Sequence, residues 1–146
     1  MEQSYKFNIY KKLKQFFIKK GKTQKANNII NKALLSISRE NKLTLSYILL
    51  FVFNKLNSFF EIRKLYLRRR LNVIPFAANK KRRVYLVIKR IREVLLLDKR
   101  KKPISAKLQN EIFNIFLREK LSSSIKLKKA DISKVFSYRS NIHFRW

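Results

Sequence analysis

Apolar positions in the first third of the chain recur with a helical period. Ile9, Leu13, Phe16 and Phe17 share one face, with Lys11, Lys12, Lys14 and Lys19 around it. Gly21 predicts the stop of this first helix, because glycine accepts the left-handed backbone that closes a helix. Thr23 is read as the cap of a second helix. Its apolar set, Ala26, Ile29, Ile30, Ala33, Leu34 and Ile37, follows the ~3.6-residue period of a one-sided helix. Arg39 to Lys42 predicts a polar break, and Thr44 the cap of a third helix running through Leu56. In that helix Ile48, Leu49, Val52, Phe53 and Leu56 predict burial on more than one side.

The period then shortens. From Phe60 to Leu67, Phe60, Ile62, Lys64 and Tyr66 alternate with Glu61, Arg63, Leu65 and Leu67. Val73 to Phe76 is a second β-type run whose Pro75 favours an edge or a strand end. Arg68, Arg69 and Arg70 lie between the runs, so the pattern predicts a β-hairpin over about residues 60–76 with a basic tip. A ribbon of two strands is marginal in water, and adjacent cations at its tip repel. Such an arm is expected to be held by an anionic partner rather than to brace the core. Asn79 is a plausible cap for a fourth helix carrying Val84, Val87, Ile88, Ile91, Val94 and Leu95 on one face. Lys99 to Lys102 forms a basic loop ending at Pro103, followed by a fifth helix with Ile104, Leu108, Ile112, Ile115 and Phe116. Ser122, Ser123 and Ser124 predict the last break, and a sixth segment from Lys126 to about Ser140 aligns Ile132, Val135 and Phe136. The expected fold is mainly α, a six-helix domain with an inserted β-hairpin arm, and residues 1–146 are read as a single domain.

Charge decides the functional class. Thirty-seven Lys and Arg stand against 8 Asp and Glu, a formal net charge of +29. Self-repulsion on that scale destabilises a compact lone chain, and a polyanion that sheds counterions on binding relieves it. The cations cluster at Lys11, Lys12, Lys19, Lys20, Lys22 and Lys25; at Arg63, Lys64, Arg68, Arg69 and Arg70; at Lys80, Lys81, Arg82 and Arg83; and at Lys99 to Lys102. Fixed cations on rigid supports suit phosphates, and the planar fork of arginine takes two oxygens at once. An ordinary soluble surface mixes signs instead. Nucleic acid is therefore the expected partner, although charge alone does not separate RNA from DNA. The aromatics Phe16, Phe17, Phe53, Phe60 and Phe116 fall mainly on core positions. Tyr138, Phe144 and Trp146 lie in a polar tail, where docking on RNA is the alternative.

Other classes find little support. The longest apolar run, Leu43 to Phe53, is short of the ~20 residues of a spanning helix, so no membrane insertion is expected. With one glycine there is no glycine-rich phosphate loop. Cysteines are absent, His143 is the single histidine, and Glu93 and Glu111 are read on charged faces without an acidic partner. The expectation is no enzyme, no metal and no cofactor. Abundant Ile, Phe, Lys and Asn is the bias of AT-rich codons, a hint of an organellar genome. The start carries Glu2 and has no Arg before Arg39, unlike an Arg-rich presequence. A chain made inside a mitochondrion is expected, with a plastid or the bacterial cytoplasm as alternatives.

Several motifs resemble one family. Lys20-Gly21-Lys22 followed by Ala26, Ile30, Ala33 and Leu34 resembles the first helix-turn-helix of the ribosomal protein S-seven family. Glu61-Ile62-Arg63 and Pro75 resemble the ends of that family's hairpin, and Arg82-Arg83 the Arg pair opening its fourth helix. His143-Phe144-Arg145-Trp146 is similar to its ending, with Phe144 where Tyr is common. The match runs from Tyr5 to Trp146 with few or no gaps. Three departures stand out. Arg68 and Arg69 occupy the place of a usual Gly pair, Ser58 replaces a usual Pro, and the basic N-terminal arm is short or missing. The resemblance implies six helices with a β-ribbon arm and binding to the 3′ major domain of small-subunit rRNA. It also implies nucleation of head assembly beside neighbouring head proteins, and a hairpin near mRNA and exit-site tRNA. The RNA contacts expected are the lysines and arginines of the first three clusters, joined by Arg139, His143, Arg145 and Trp146. A DNA-binding helical protein of an organelle is the alternative, because the spacing of the first two helices also fits a DNA-reading helix-turn-helix.

Overall fold

Helices alternate with short connections until a single ribbon interrupts them. The computed structural model describes residues 2–67 and 70–143, with side chains described for residues 9–66 and 71–143. The order is α1 (Glu2–Phe17), α2 (Thr23–Asn41), α3 (Leu45–Leu56), β1 (Phe60–Leu67), β2 (Arg70–Ala77), α4 (Lys80–Leu97), α5 (Ile104–Leu117) and α6 (Ser123–Ser137). A 3₁₀ turn, Arg139–His143, follows α6. This is the expected mainly-α fold with a hairpin arm.

One continuous apolar core joins the helices. α2 contributes Ile30, Ala33, Leu34 and Ile37; α3 contributes Ile48, Leu49, Val52, Phe53 and Leu56. α4 is central, packing on α1, α3, α5 and α6, and it buries Val84, Val87, Ile88, Ile91 and Leu95. Each fully buried aliphatic side chain contributes roughly 1.5–3 kcal/mol relative to exposure, so these stripes define how the helices pack.

The helix ends depart from the sequence expectation in informative ways. Thr23 is the first residue of α2 rather than its cap; Lys22 holds the cap position without a side-chain bond. The reversal before it uses two left-handed residues, Lys20 (φ 51°) and Gly21 (φ 73°). Arg39 to Asn41 is helical, not a break, and α2 ends on Lys42, whose left-handed backbone sends its N–H to the Ser38 carbonyl. α6 starts at Ser123, three residues before the expected Lys126, because Ser122 caps it by accepting from the Ile125 N–H at 3.3 Å. The expected apolar face of α6 is not core: Ile132 and Val135 are half-buried and Phe136 is 67% exposed.

Glu111 also departs from expectation. It is buried, not on a charged face, and its Oε1 accepts from the Ser122 hydroxyl at 2.8 Å and the Ser124 N–H at 2.9 Å. A carboxylate from α5 thus satisfies one free N–H group at the positive end of α6 and anchors the hydroxyl of its capping serine.

β1 and β2 pair antiparallel from Phe60↔Ala77 to Leu67↔Arg70. Arg70 therefore belongs to the second strand; Arg68 and Arg69 lie outside the described residues. Ile74, Pro75, Ala78 and Glu61 are buried at the base, where α6 packs on β1 and the 3₁₀ turn packs on β2. Asn141 Nδ2 donates to the Val73 carbonyl at 2.9 Å. Farther out, Tyr66 is 77% exposed and Leu71 is exposed as well. The expectation of an arm apart from the core therefore holds for its outer half only.

Candidate nucleic-acid interface

The base of the hairpin meets the start of α4, and there the cations converge. Lys80, Lys81, Arg82 and Arg83 fill the first turn of α4, which contains no acidic residue. Helix dipoles favour anions at this end and cations at the other. A first turn of four cations is thus locally unfavourable until an anion arrives, whereas free N–H groups at a helix start readily bind phosphate. Lys12 of α1 joins Lys80, Lys81, Arg82 and Tyr85 around one shallow groove.

Buried Glu61 organises the arginines. Its Oε1 accepts from Arg63 Nε and its Oε2 from Arg82 Nε, both at 2.6 Å. Each arginine also lies on an aromatic ring: Arg63 over Phe76 at 4.7 Å, Arg82 over Tyr85 at 4.7 Å and Arg83 over Phe59 at 4.2 Å. Arg83 Nε donates to the Ala78 carbonyl at 2.8 Å. With Nε tied to the protein and the plane seated on a ring, the remaining guanidinium N–H groups are held in fixed directions, an arrangement suited to phosphate.

Burial raises the Glu61 carboxyl pKa, but hydrogen bonds and charges from Arg82 and then Arg63 outweigh it and hold it below its ordinary value of 4.5. Its stabilising effect is therefore complete above that value and is lost as pH falls through the lowered folded value. Glu61→Gln should cost about 1 kcal/mol at neutral pH and should flatten the loss of melting temperature between about pH 5 and pH 3. Thermal melts of both proteins across that range check it; parallel curves would show that other carboxylates control acid unfolding.

The remaining acids with described side chains are engaged too. Asp98 holds Arg100, Glu119 holds Lys55, Asp131 holds Arg90 and Glu93 lies 3.6 Å from Lys89, while Glu40 accepts from Gln109. Among the described residues, the cations of the groove beyond Arg82 have no acidic partner.

The family profile for ribosomal protein S7p/S5e matches residues 1–137. The chain belongs to that family. It is thus a small-subunit ribosomal protein of the rRNA-binding S-seven family, whose members are structural constituents rather than enzymes. A search of curated proteins found no match.

Within this S-seven chain the predicted contact residues separate into groups. Lys12, Arg63, Lys80, Lys81, Arg82 and Arg83 come together at the hairpin base. Lys64, Arg139 and His143 are exposed on β1 and the 3₁₀ turn, and Lys11 is exposed on α1. Lys19, Lys22 and Lys25 instead rim a different groove beside the far end of α4, with Lys20 exposed in the same turn. Arg68, Arg69, Arg145 and Trp146, and the side chain of Arg70, lie outside the described residues.

Sequence reasoning missed Arg90, which is 4% exposed on α4. Its Nη1 donates to the Leu56 carbonyl at 2.9 Å, its Nη2 to Ser58 Oγ at 3.0 Å, and its Nε and Nη2 to Asp131 Oδ2 at 3.0 and 2.8 Å. Ser58 Oγ thereby accepts a hydrogen bond that a proline side chain could not. The available signal was the spacing Val87, Arg90, Val94, which places a charge on the apolar face.

Proposed function

We propose that the chain binds the 3′ major domain of small-subunit rRNA, nucleates assembly of the head, and carries its hairpin toward mRNA and exit-site tRNA. The observation that carries the rRNA site is the all-cationic first turn of α4 at the hairpin base, its arginines fixed by Glu61 and by aromatic rings. On this reading Lys12, Arg63, Lys80, Lys81, Arg82 and Arg83 contact phosphates, with Lys11, Lys64, Arg139 and His143 extending the surface. Arg68, Arg69, Arg70, Arg145 and Trp146 are proposed contacts from their sequence positions alone. Lys19, Lys20, Lys22 and Lys25 would meet more distant parts of the particle. Residues 1–146 act as one domain, in keeping with the continuous core. The AT-type amino-acid bias favours a mitochondrial ribosome.

Chemical footprinting of small-subunit rRNA tests this. Protection should fall in the 3′ major domain; protection spread over other domains, or equal binding to duplex DNA, overturns the reading. For the arm, replacing residues 67–71 by a short Asn-Gly turn should leave assembly intact, because the buried base of the ribbon remains, and should alter tRNA retention at the exit site. Failed assembly would make the arm a primary rRNA anchor, and unchanged retention would remove it from the exit site.

A further inference from the structure

The α1–α2 turn and the start of α4 serve different surfaces. At ~1.5 Å rise per residue, Lys81 and Leu95 are about 21 Å apart along α4. Near Leu95 lies a groove of about 480 Å³ between the end of α1, the start of α2, the end of α4 and the start of α5. Its floor is apolar, formed by Phe17, Ile18, Ile29, Leu95, Leu96 and Ile104. Leu96 is 69% exposed and Ile104 42% exposed, so this floor leaves substantial apolar area in water.

The rim carries the opposite character. Lys19, Lys22, Lys25 and Lys107 surround the floor. Asp98 is the one acid of the lining among the described residues, and it is already committed. Its carboxylate is gripped by Arg100 at 2.7–3.0 Å, which holds it well below the usual carboxylate range, and its carbonyl accepts from Lys107 at 2.6 Å. Among the described residues, the Lys19, Lys22 and Lys25 ammonium groups have no acidic partner.

A nucleobase fits this groove poorly. Five of the six floor residues, Ile18, Ile29, Leu95, Leu96 and Ile104, are aliphatic and give a planar base no ring to stack on. The Phe16 ring at the groove is also engaged, by Tyr85 at 5.6 Å and the Arg92 guanidinium at 5.5 Å. Aliphatic side chains flanked by carboxylates match both floor and rim, as when an amphipathic helix lies in a groove.

We propose that this groove receives an acidic amphipathic segment of a neighbouring protein, with its leucine-type side chains on the floor and its carboxylates against the lysine rim. The inference uses the ribosomal reading only to say that the neighbour belongs to the same particle.

The probe is a fluorescein-labelled peptide with leucines at i, i+3, i+4 and i+7 and glutamates between them, titrated against the full chain by anisotropy. A control peptide of equal charge has serines for the leucines. Saturable binding is expected, about tenfold weaker for the serine peptide and about tenfold weaker for Leu96→Asn or Lys22→Glu. Leu96 and Lys22 are both exposed, so these variants should fold, and unchanged circular dichroism confirms it. Adding one equivalent of rRNA fragment should leave the peptide bound. Equal binding of the serine peptide would reduce the effect to bare charge and overturn the proposal. Absence of saturable binding, or displacement of the peptide by RNA, would overturn it as well. If peptide binding behaves as expected while the rRNA fragment itself fails to bind, the fault lies with the rRNA reading and not with the groove.

Discussion

Arg90→Met should lower the melting temperature by roughly 10 °C, the largest stability effect of any single substitution proposed for this chain. Arg90 bridges three elements: the carbonyl end of α3 through Leu56, the approach to β1 through Ser58, and α6 through Asp131. Methionine fills part of the volume and supplies none of these bonds. Asp131 is about half exposed, so water can take back its charge. The Leu56 carbonyl and the buried Ser58 hydroxyl have no comparable recourse. Two buried groups left unpaired and a charged hydrogen bond lost amount to about 3 kcal/mol. A chain of this length loses ~2–4 °C per kcal/mol, and that loss is a sizeable part of a total of ~5–15 kcal/mol. Arg90→Lys should recover less than half, because an ammonium group lacks the planar fork that reaches all three partners. Thermal melts of both variants decide it. An unchanged melting temperature for Arg90→Met would mean that the bridge only offsets its own desolvation.

The same region shows why the end of α3 tolerates so much positive charge. Lys128 Nζ donates to the Lys55 carbonyl at 2.6 Å, next to the carbonyl held by Arg90. Two cations therefore sit at the negative end of a helix dipole, where they are favourable. Burial, followed by the charges of Arg90 and Lys55, pushes the Lys128 pKa down. Cations at a helix end that wants them brace the fold, whereas those in the first turn of α4 stand at an end that resists them. This polarity separates cations that a helix end compensates from cations that it leaves uncompensated.

The helices were legible because their information is local. Ala26, Ile30, Ala33, Leu34 and Ile37 repeat on one face, and the same stripe is buried in the structure. The hairpin was legible for a similar reason, a change of period at Phe60. Features created by distant pairing were not. The serines at the start of α6 read as a break because the carboxylate that accepts from Ser122 and Ser124, that of Glu111, comes from another helix. Ile132, Val135 and Phe136 read as one apolar face, but periodicity shows that a face is apolar without showing what covers it. The basic clusters were visible as charge, but their division into a hairpin-base surface and a lysine-rimmed groove depends on how α1 packs along α4. Glu61, which fixes two arginines from different elements, was visible only as part of a family motif.

Affinity for small-subunit rRNA should fall by about a thousandfold between about 50 and 200 mM monovalent salt, if six phosphates are neutralised. The estimate rests on the cations gathered at the hairpin base and on the lack of acids to compete with RNA for the lysines there. Each neutralised phosphate steepens the log–log slope by ~0.7–0.9, because its condensed counterions are released. Lys12, Lys80 and Lys81 make the sharper test. They line the groove at the start of α4, and none of their side chains has a hydrogen bond or ion pair among the described residues. The triple replacement by alanine should therefore leave helicity intact and reduce the slope by about 2–3. Arg82→Ala and Arg83→Ala are less clean, since those side chains also hold Glu61 and the Ala78 carbonyl, and some of their cost would be structural. Filter binding across the salt range, with circular dichroism as the folding control, makes the measurement. An unchanged slope in the triple variant would move the phosphate contacts away from the hairpin base, and a salt-independent affinity in the parent chain would defeat the electrostatic account of the site.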